Sequence, residues 1–200
     1  RCFWSYWEQF LENNPVNGGE NWLSAQEAAL RVIALVFAAQ VFENSLFLNE
    51  ERRRNLAESI VHHARRIEVT LSYARAQNNN HLLSEAVGLL LAAHVLPDWL
   101  EARRWRKTGW KWFEWAIEHQ IEVDGEYIQH SANYHRLMLM LALIVRRIAL
   151  LEGVVLAQGV REKLRLASAW LLGVVDETSG QALNLGHHDG ANLLPWGGTI

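Results

Sequence analysis

The run Ala28-Ala29-Leu30-Arg31-Val32-Ile33-Ala34-Leu35-Val36-Phe37 decides the fold. It is apolar nearly all round a helical wheel, which marks a helix enclosed by other helices. Ser24 precedes it as a cap, so this helix is expected to extend to about Phe42. The next segment, about Asn49 to Ala74, has the opposite character. Leu56, Ile60, His63, Ile67 and Leu71 form one stripe at three- and four-residue steps, against a face rich in Arg and Glu. An inner helix is followed by an outer one.

Working outward in both directions, the alternation continues. A short first helix is predicted from about Phe3 to Leu11, stopped by the Asn13-Asn14-Pro15 and Asn17-Gly18-Gly19 turn signals. His81 to Leu96 is again apolar all round, Pro97 ends it, and Asp98 opens the next helix with Glu101 in capping-box position. That Trp-rich segment reads as an outer helix to about Glu122. Ser131 caps an apolar helix ending near Gly153, Val160 to about Val175 supplies one more, and from Ser179 onward the chain is irregular. With three prolines and almost no alternating run, the chain reads as all-α. Inner-plus-outer pairs recurring at roughly 50 residues indicate an incomplete (α/α) toroid of antiparallel helical hairpins. A right-handed superhelix of stacked hairpins has the same pattern and stays open at this point.

Short connections make successive helices antiparallel, so the helices beginning at Ser24, His81 and Ser131 share one polarity. Asn21-Trp22, Asn78-Asn79-Asn80-His81, Asp124 to Tyr134 and Gly186-His187-His188-Asp189-Gly190 then converge on one face. Three helix N-termini aimed at one cleft would present unpaired N–H groups and partial positive charge to an anion. Tyr134, in a first helical turn, lies where that field favours a phenolate and hence proton transfer. Asn80, just before a helix, has an amide that either caps the backbone or donates to a bound carboxylate.

The totals set outer bounds. The 200 residues, half of them hydrophobic, suit a single helical domain spanning 1–200. A net charge of −3 gives no global attraction for nucleic acid or an anionic membrane, and no apolar run is free enough of charge to span a bilayer. Cys2 is the single cysteine, which excludes an intrachain disulfide and a cysteine-based zinc cluster. The chain opens at Arg1 without Met, so a fragment of a longer protein is expected.

Three separated segments carry a resemblance. Asn79-Asn80-His81-Leu82-Leu83-Ser84-Glu85, then Gln120-Ile121 through Asp124-Gly125-Glu126-Tyr127, then His130-Ser131-Ala132-Asn133-Tyr134-His135 resemble, in order and separation, the helical domain of heparinase II/III-like lyases. The resemblance runs from about Trp22 to Asn192. It implies a polysaccharide lyase cleaving a uronic-acid-containing acidic polysaccharide, heparan-sulfate-like or alginate-like, by β-elimination. It further implies that Asn80 neutralises the uronate carboxylate and that Tyr134 is the catalytic acid, or both base and acid. His135 is grouped with them as catalytic, although His81 and His135 are equally candidates to orient the site. In this family a C-terminal β-sandwich completes the cleft, so such a domain is expected in the longer protein outside this chain, and a periplasmic or extracellular location is expected. No metal or other cofactor is required if amide and backbone donors stabilise the enolate.

For substrate binding the candidates are His81, His130, Arg136, His188 and Trp22, the last as a stacking platform for a sugar. His187-His188 is a pair that related sequences more often lack, and adjacent loop histidines do not have metal-ligand spacing. His62-His63, Trp105 and Trp112 are expected to be structural, and Arg52-Arg53-Arg54 a solvated face. Two other functions fit the pattern: a glycoside hydrolase using Asp124 with Glu85 or Asp189, and a non-catalytic glycan-binding module.

Overall fold

The computed structural model describes residues 2–187 and residue 193. Over these the chain forms α1 (Cys2–Asn13), a 3-10 turn (Glu20–Trp22), α2 (Ala25–Val41), α3 (Glu50–Gln77), α4 (Asn80–Val95), α5 (Ala102–Gln120), α6 (Ala132–Glu152) and α7 (Gln158–Gly173). Two isolated bridges, Ile121 with Tyr127 and Val175 with Ala182, are the β-structure among the described residues. Among the described residues no helix is long and apolar enough to cross a membrane.

The predicted caps at Ser24 and Ser131 form, their hydroxyls accepting from the N–H groups of Glu27 (3.3 Å) and Tyr134 (3.2 Å). Asn49 caps α3 by accepting from Arg52 N–H at 2.9 Å. The expected capping box at Asp98 to Glu101 does not form. Residues 97–101 make turns, α5 begins at Ala102 with Glu101 itself at the N-cap, and the Glu101 carboxylate accepts from Arg65 Nε at 2.8 Å. Arg52 is likewise not simply solvated. It donates to Glu8 (2.7 Å) and to the Phe47 carbonyl (2.6 Å), and its guanidinium lies 5.2 Å from the Trp4 ring, tying α3 to α1.

Cross-links fix the polarity. Along α3 and α5 the pairs Arg65–Glu101, Glu68–Arg104, Arg75–Trp112 and Asn78–Gln120 advance together, so these outer helices run parallel. Between them and on the inner side lies α4, antiparallel to both, with all but three of its 16 residues buried. Helices α2, α4 and α6 form the inner layer and α1, α3, α5 and α7 the outer one, an incomplete (α/α) toroid. Burial of Leu82, Leu83, Leu89 and Leu90, each at 0–1% exposure, contributes about 2 kcal/mol apiece to its cohesion. Two glycines let the layers close. A Cβ on Gly88 would stand 2.9 Å from the Ala29 Cβ, and one on Gly109 would stand 2.9 Å from the Ala86 carbonyl oxygen. The starts of α2, α4 and α6 therefore lie at one end, as the short connections require.

Candidate active site

The site grows from the connection between α3 and α4. Asn78 takes a left-handed backbone (φ 46°), a conformation asparagine tolerates, and this stops α3. Asn79 then accepts from His81 N–H at 3.0 Å and caps α4. Asn80 is thus the first residue of α4 rather than the residue before it, and the capping role that competed with ligand binding falls to Asn79. Asn80 is 3% exposed, and its backbone N–H donates to Gln129 Oε1 at 2.9 Å. Its side-chain amide has no hydrogen-bond partner among the described residues.

The second segment is the scaffold of the first. Gln120, fully buried at the end of α5, donates from Nε2 to Asn78 Oδ1 (3.0 Å) and to the Asn79 carbonyl (3.1 Å). Its Oε1 accepts from the Tyr127 hydroxyl at 3.1 Å. Tyr127 is enclosed, and burial pushes its phenol far above the usual range, so it serves as a fixed donor. The chain returns from Gln120 to Tyr127 through a tight turn in which Asp124 accepts from Glu126 N–H (3.0 Å). Gly125 occupies that turn at φ 96°, where a Cβ would stand 2.4 Å from the Leu166 carbonyl oxygen of α7. Gln120, Tyr127 and Gln129 carry no role in the sequence reading. Their signal was the seven-residue spacing of Gln120 and Tyr127 about an Asp-Gly turn, within a segment already singled out.

The third segment begins α6. Ala132 N–H donates to the Leu185 carbonyl (2.9 Å), Ser131 Oγ to the His187 carbonyl (2.9 Å), and Asn133 Nδ2 to Asn184 Oδ1 (3.0 Å). Residues 184–187 therefore strap across the N-terminus of α6, with Gly186 at φ 77° pressed onto Ser131. Much of the expected set of open backbone donors is consequently taken. On α4 the N–H groups of Asn80 and His81 are satisfied by side chains, and on α6 those of Ala132 and Tyr134 are satisfied within the protein. The remaining dipole still favours an anion, but a carboxylate would be met mainly by side chains. Tyr134 lies in the first turn of α6, 9% exposed, at the same end as Asn80.

The other candidates separate. His135 points away from the inner layer. It is enclosed, its ring stacks on Trp170 (4.6 Å, 22°), and its Nε2–H donates to the Ala167 carbonyl at 2.8 Å. Burial, against that hydrogen bond, lowers its pKa, so the neutral ring acts as a spacer between α6 and α7 that fixes the backbone beside Tyr134. His81 is half-buried at the start of α4, and burial lowers its pKa as well. His130 has a left-handed backbone (φ 49°) and an exposed ring whose Nδ1 is 3.2 Å from Glu126 Oε1. Arg136 is exposed and donates to Asn133. His188 and Asp189 lie outside the described residues.

Trp22 does not present a face for a sugar. It is enclosed at 4% exposure and stacks on His63 (4.5 Å, 30°), because the 3-10 turn folds it down between α2 and α3. His63 is structural, as its place on the apolar stripe suggested. Its Nδ1–H donates to the Ser59 carbonyl (2.7 Å), its Nε2 accepts from Arg31 Nε (3.0 Å), and burial brings its pKa down to about 4. Glu85 is enclosed on α4, with its pKa pushed up to about 8 by burial while Arg66 pulls the other way. Asp124 sits on an exposed turn and holds the Glu126 N–H. These two carboxylates do not form the accessible acid–base pair that a hydrolase needs.

Comparison with known proteins agrees with the fold. A heparin-sulfate lyase of Bacteroides thetaiotaomicron is 27% identical over 133 residues, 64% of this chain and 18% of that protein. A heparin-sulfate lyase of Pedobacter heparinus is 35% identical over 65 residues, 32% of this chain and 10% of that protein. The chain thus spans less than a fifth of the curated relatives it matches. The crystal structure of a heparinase III shares the fold, with a TM-score of 0.70 at 22% identity over 86% of this chain and 26% of that one. Residues 1–162 match the family described as heparinase II/III N-terminus, and the chain belongs to that family.

Proposed function

We propose that this chain forms the helical wall of a polysaccharide lyase that cleaves a uronate-bearing acidic polysaccharide, heparan-sulfate-like in the first instance, by β-elimination. The observation that carries the reading is the Asn80 amide. It is enclosed at the site end of the most buried helix, held by Gln129, Gln120 and Tyr127 through the backbone around it, and has no protein partner of its own among the described residues. A donor placed in this way suits a substrate carboxylate.

The hydrogen on the carbon next to an ionised carboxylate is very weakly acidic. Asn80 would donate to that carboxylate as negative charge builds on it, lowering the barrier to enolate formation. A base takes the proton, the freed electron pair forms the new carbon–carbon double bond, and the glycosidic carbon–oxygen bond breaks. The departing oxygen takes a proton from the acid, a role assigned to Tyr134, which the α6 N-terminus favours as a proton-transfer group. His135 holds the start of α6 in place rather than meeting substrate. A following β-sandwich domain would close the opposite wall, and a polymer of this kind is met in the periplasm or outside the cell.

Incubation of the full-length protein with heparan sulfate should release products absorbing in the ultraviolet, the mark of an unsaturated uronate. Asn80→Ala should lower kcat about 10²- to 10³-fold, the range for losing one preorganised donor to a developing oxyanion. Saturated products, or undiminished turnover in both Asn80→Ala and Tyr134→Phe, would remove the basis for the assignment.

A further inference from the structure

The groove between the outer helices α3 and α5 changes character along its length. Away from Asn80 it is bridged by paired charges, Arg65 with Glu101 (2.7 Å) and Arg104 with Glu68 (2.7 Å). Towards Asn80 no ion pair bridges the groove among the described residues, and of the two carboxylates that α5 carries there, Glu114 and Glu118, the latter lies beside Gly159 of α7. The Arg75 guanidinium stands 4.0 Å from the centroid of the Trp112 ring, and Lys111 Nζ stands 4.9 Å from it. Neither cation has a hydrogen bond or an acidic partner among the described residues. Trp112 meets Trp115 edge-on (5.8 Å, 66°), and Trp115 is stacked on His119 (4.3 Å, 8°). Arg75, Trp112 and Trp115 line, with Ser72 and Ala76, a shallow groove of about 350 Å³, with Lys111 and His119 beside it on α5.

The position of this groove matters as much as its chemistry. Arg75 is five residues before Asn80, and His119 adjoins Gln120, whose amide holds Asn78 and Asn79. The groove opens at the outer rim of the site end.

We propose that the α3–α5 groove is an accessory binding site for an acidic oligosaccharide, engaging a stretch of the polymer beyond the sugars held at Asn80 and Tyr134. The choice of ligand rests on the function proposed above. Two cations lacking counter-ions attract carboxylate or sulfate groups, and the planar fork of Arg75 suits two-oxygen contact with either. The indoles of Trp112 and Trp115 offer apolar surface to sugar C–H groups beside those charges. A purely apolar partner would leave both cations without compensation, and the ion-paired far half of the same groove offers no comparable attraction.

The test uses full-length protein carrying Tyr134→Phe to suppress turnover, with polymeric heparan sulfate and a heparan sulfate tetrasaccharide as probes. Arg75→Gln with Lys111→Gln, both surface changes, should weaken polymer binding about 5- to 10-fold, the order expected for two exposed charge contacts. Tetrasaccharide binding should change less than twofold. Trp115→Ala should produce the same split, and a circular dichroism spectrum confirms its fold. Unchanged polymer affinity in the double variant overturns the proposal, as does an equal loss on polymer and tetrasaccharide. Failure of the parent protein to retain the polymer overturns it too. If the parent binds the polymer and the unsubstituted enzyme makes no unsaturated product, the lyase reading fails while the difference in binding still decides the groove.

Discussion

Replacing Gln120 with leucine tests the scaffold under Asn80 directly. The change removes two donated bonds, to Asn78 Oδ1 and the Asn79 carbonyl, and the bond accepted from the Tyr127 hydroxyl. Each neutral bond contributes about 1 kcal/mol, and the orphaned hydroxyl of an enclosed tyrosine costs about 1–3 kcal/mol more. Leucine recovers part of this by burying apolar surface, leaving a net loss of roughly 3–4 kcal/mol. With a urea slope of about 2 kcal/mol per molar, the midpoint should fall by about 1.5–2 M, read from the fluorescence of the tryptophans. The informative variant is the double substitution. Tyr127→Phe alone should cost about 1 kcal/mol, yet added to Gln120→Leu it should restore about 1–2 kcal/mol, because it removes the stranded hydroxyl. Stability would return while activity of the full-length protein stayed low, since Asn78 and Asn79 would still lack their anchor. Strictly additive losses would refute the reasoning, because they would mean that Gln120 and Tyr127 do not act through one another.

Three further predictions concern buried positions on α3 and α4. Because burial holds Glu85 protonated, with a pKa pushed up to about 8 from the usual 4.5, its contribution is full below the unfolded pKa and is lost as pH rises towards 8. Glu85→Gln should flatten that alkaline loss, giving a variant more stable than the parent at about pH 8 and equal to it near pH 4 by urea midpoint. Parallel alkaline declines in parent and variant would acquit the carboxyl. His63 acts in the other direction. Its contribution is present above the unfolded value of 6.5 and is lost as pH falls towards about 4, so the parent should be most stable between these limbs. Gly88→Ala should destabilise by about 1–3 kcal/mol in the same assay despite alanine's better helix propensity, since the new Cβ meets Ala29 at 2.9 Å and Ile67 at 3.0 Å. Unchanged stability would show that α4 can shift away from α2 at no cost.

The alternation of enclosed and one-sided helices was legible because burial leaves its imprint on every turn, as in Ala28 to Phe37 against Leu56 to Leu71. From that alternation and short connections followed the shared polarity of α2, α4 and α6. What escaped the sequence was decided by partners far along the chain. Asn79 and Asn80 have equal capping ability, and the bond that holds the Asn80 backbone comes from Gln129, 49 residues on. Glu101 had the spacing of a cap, but Arg65 offers it a charged donor, which is stronger than a backbone N–H. Trp22 lies beside the site in sequence, yet its ring is drawn inward by His63. The open helix ends failed as an expectation because the strap at 184–187 is irregular, and no periodicity announces where irregular backbone will lend its carbonyls.

The opposite end of the hairpins offers a practical handle. The connection from α2 to α3 carries Leu46, fully exposed, and beside it Phe47 and Cys2 line the same surface depression. Cys2 is the single thiol in the sequence and is exposed. The 16 residues of α4, about 24 Å of helix, separate that end from Asn80. A fluorophore or a surface linker coupled to Cys2 would report on or immobilise the domain while leaving the Asn80 end unobstructed.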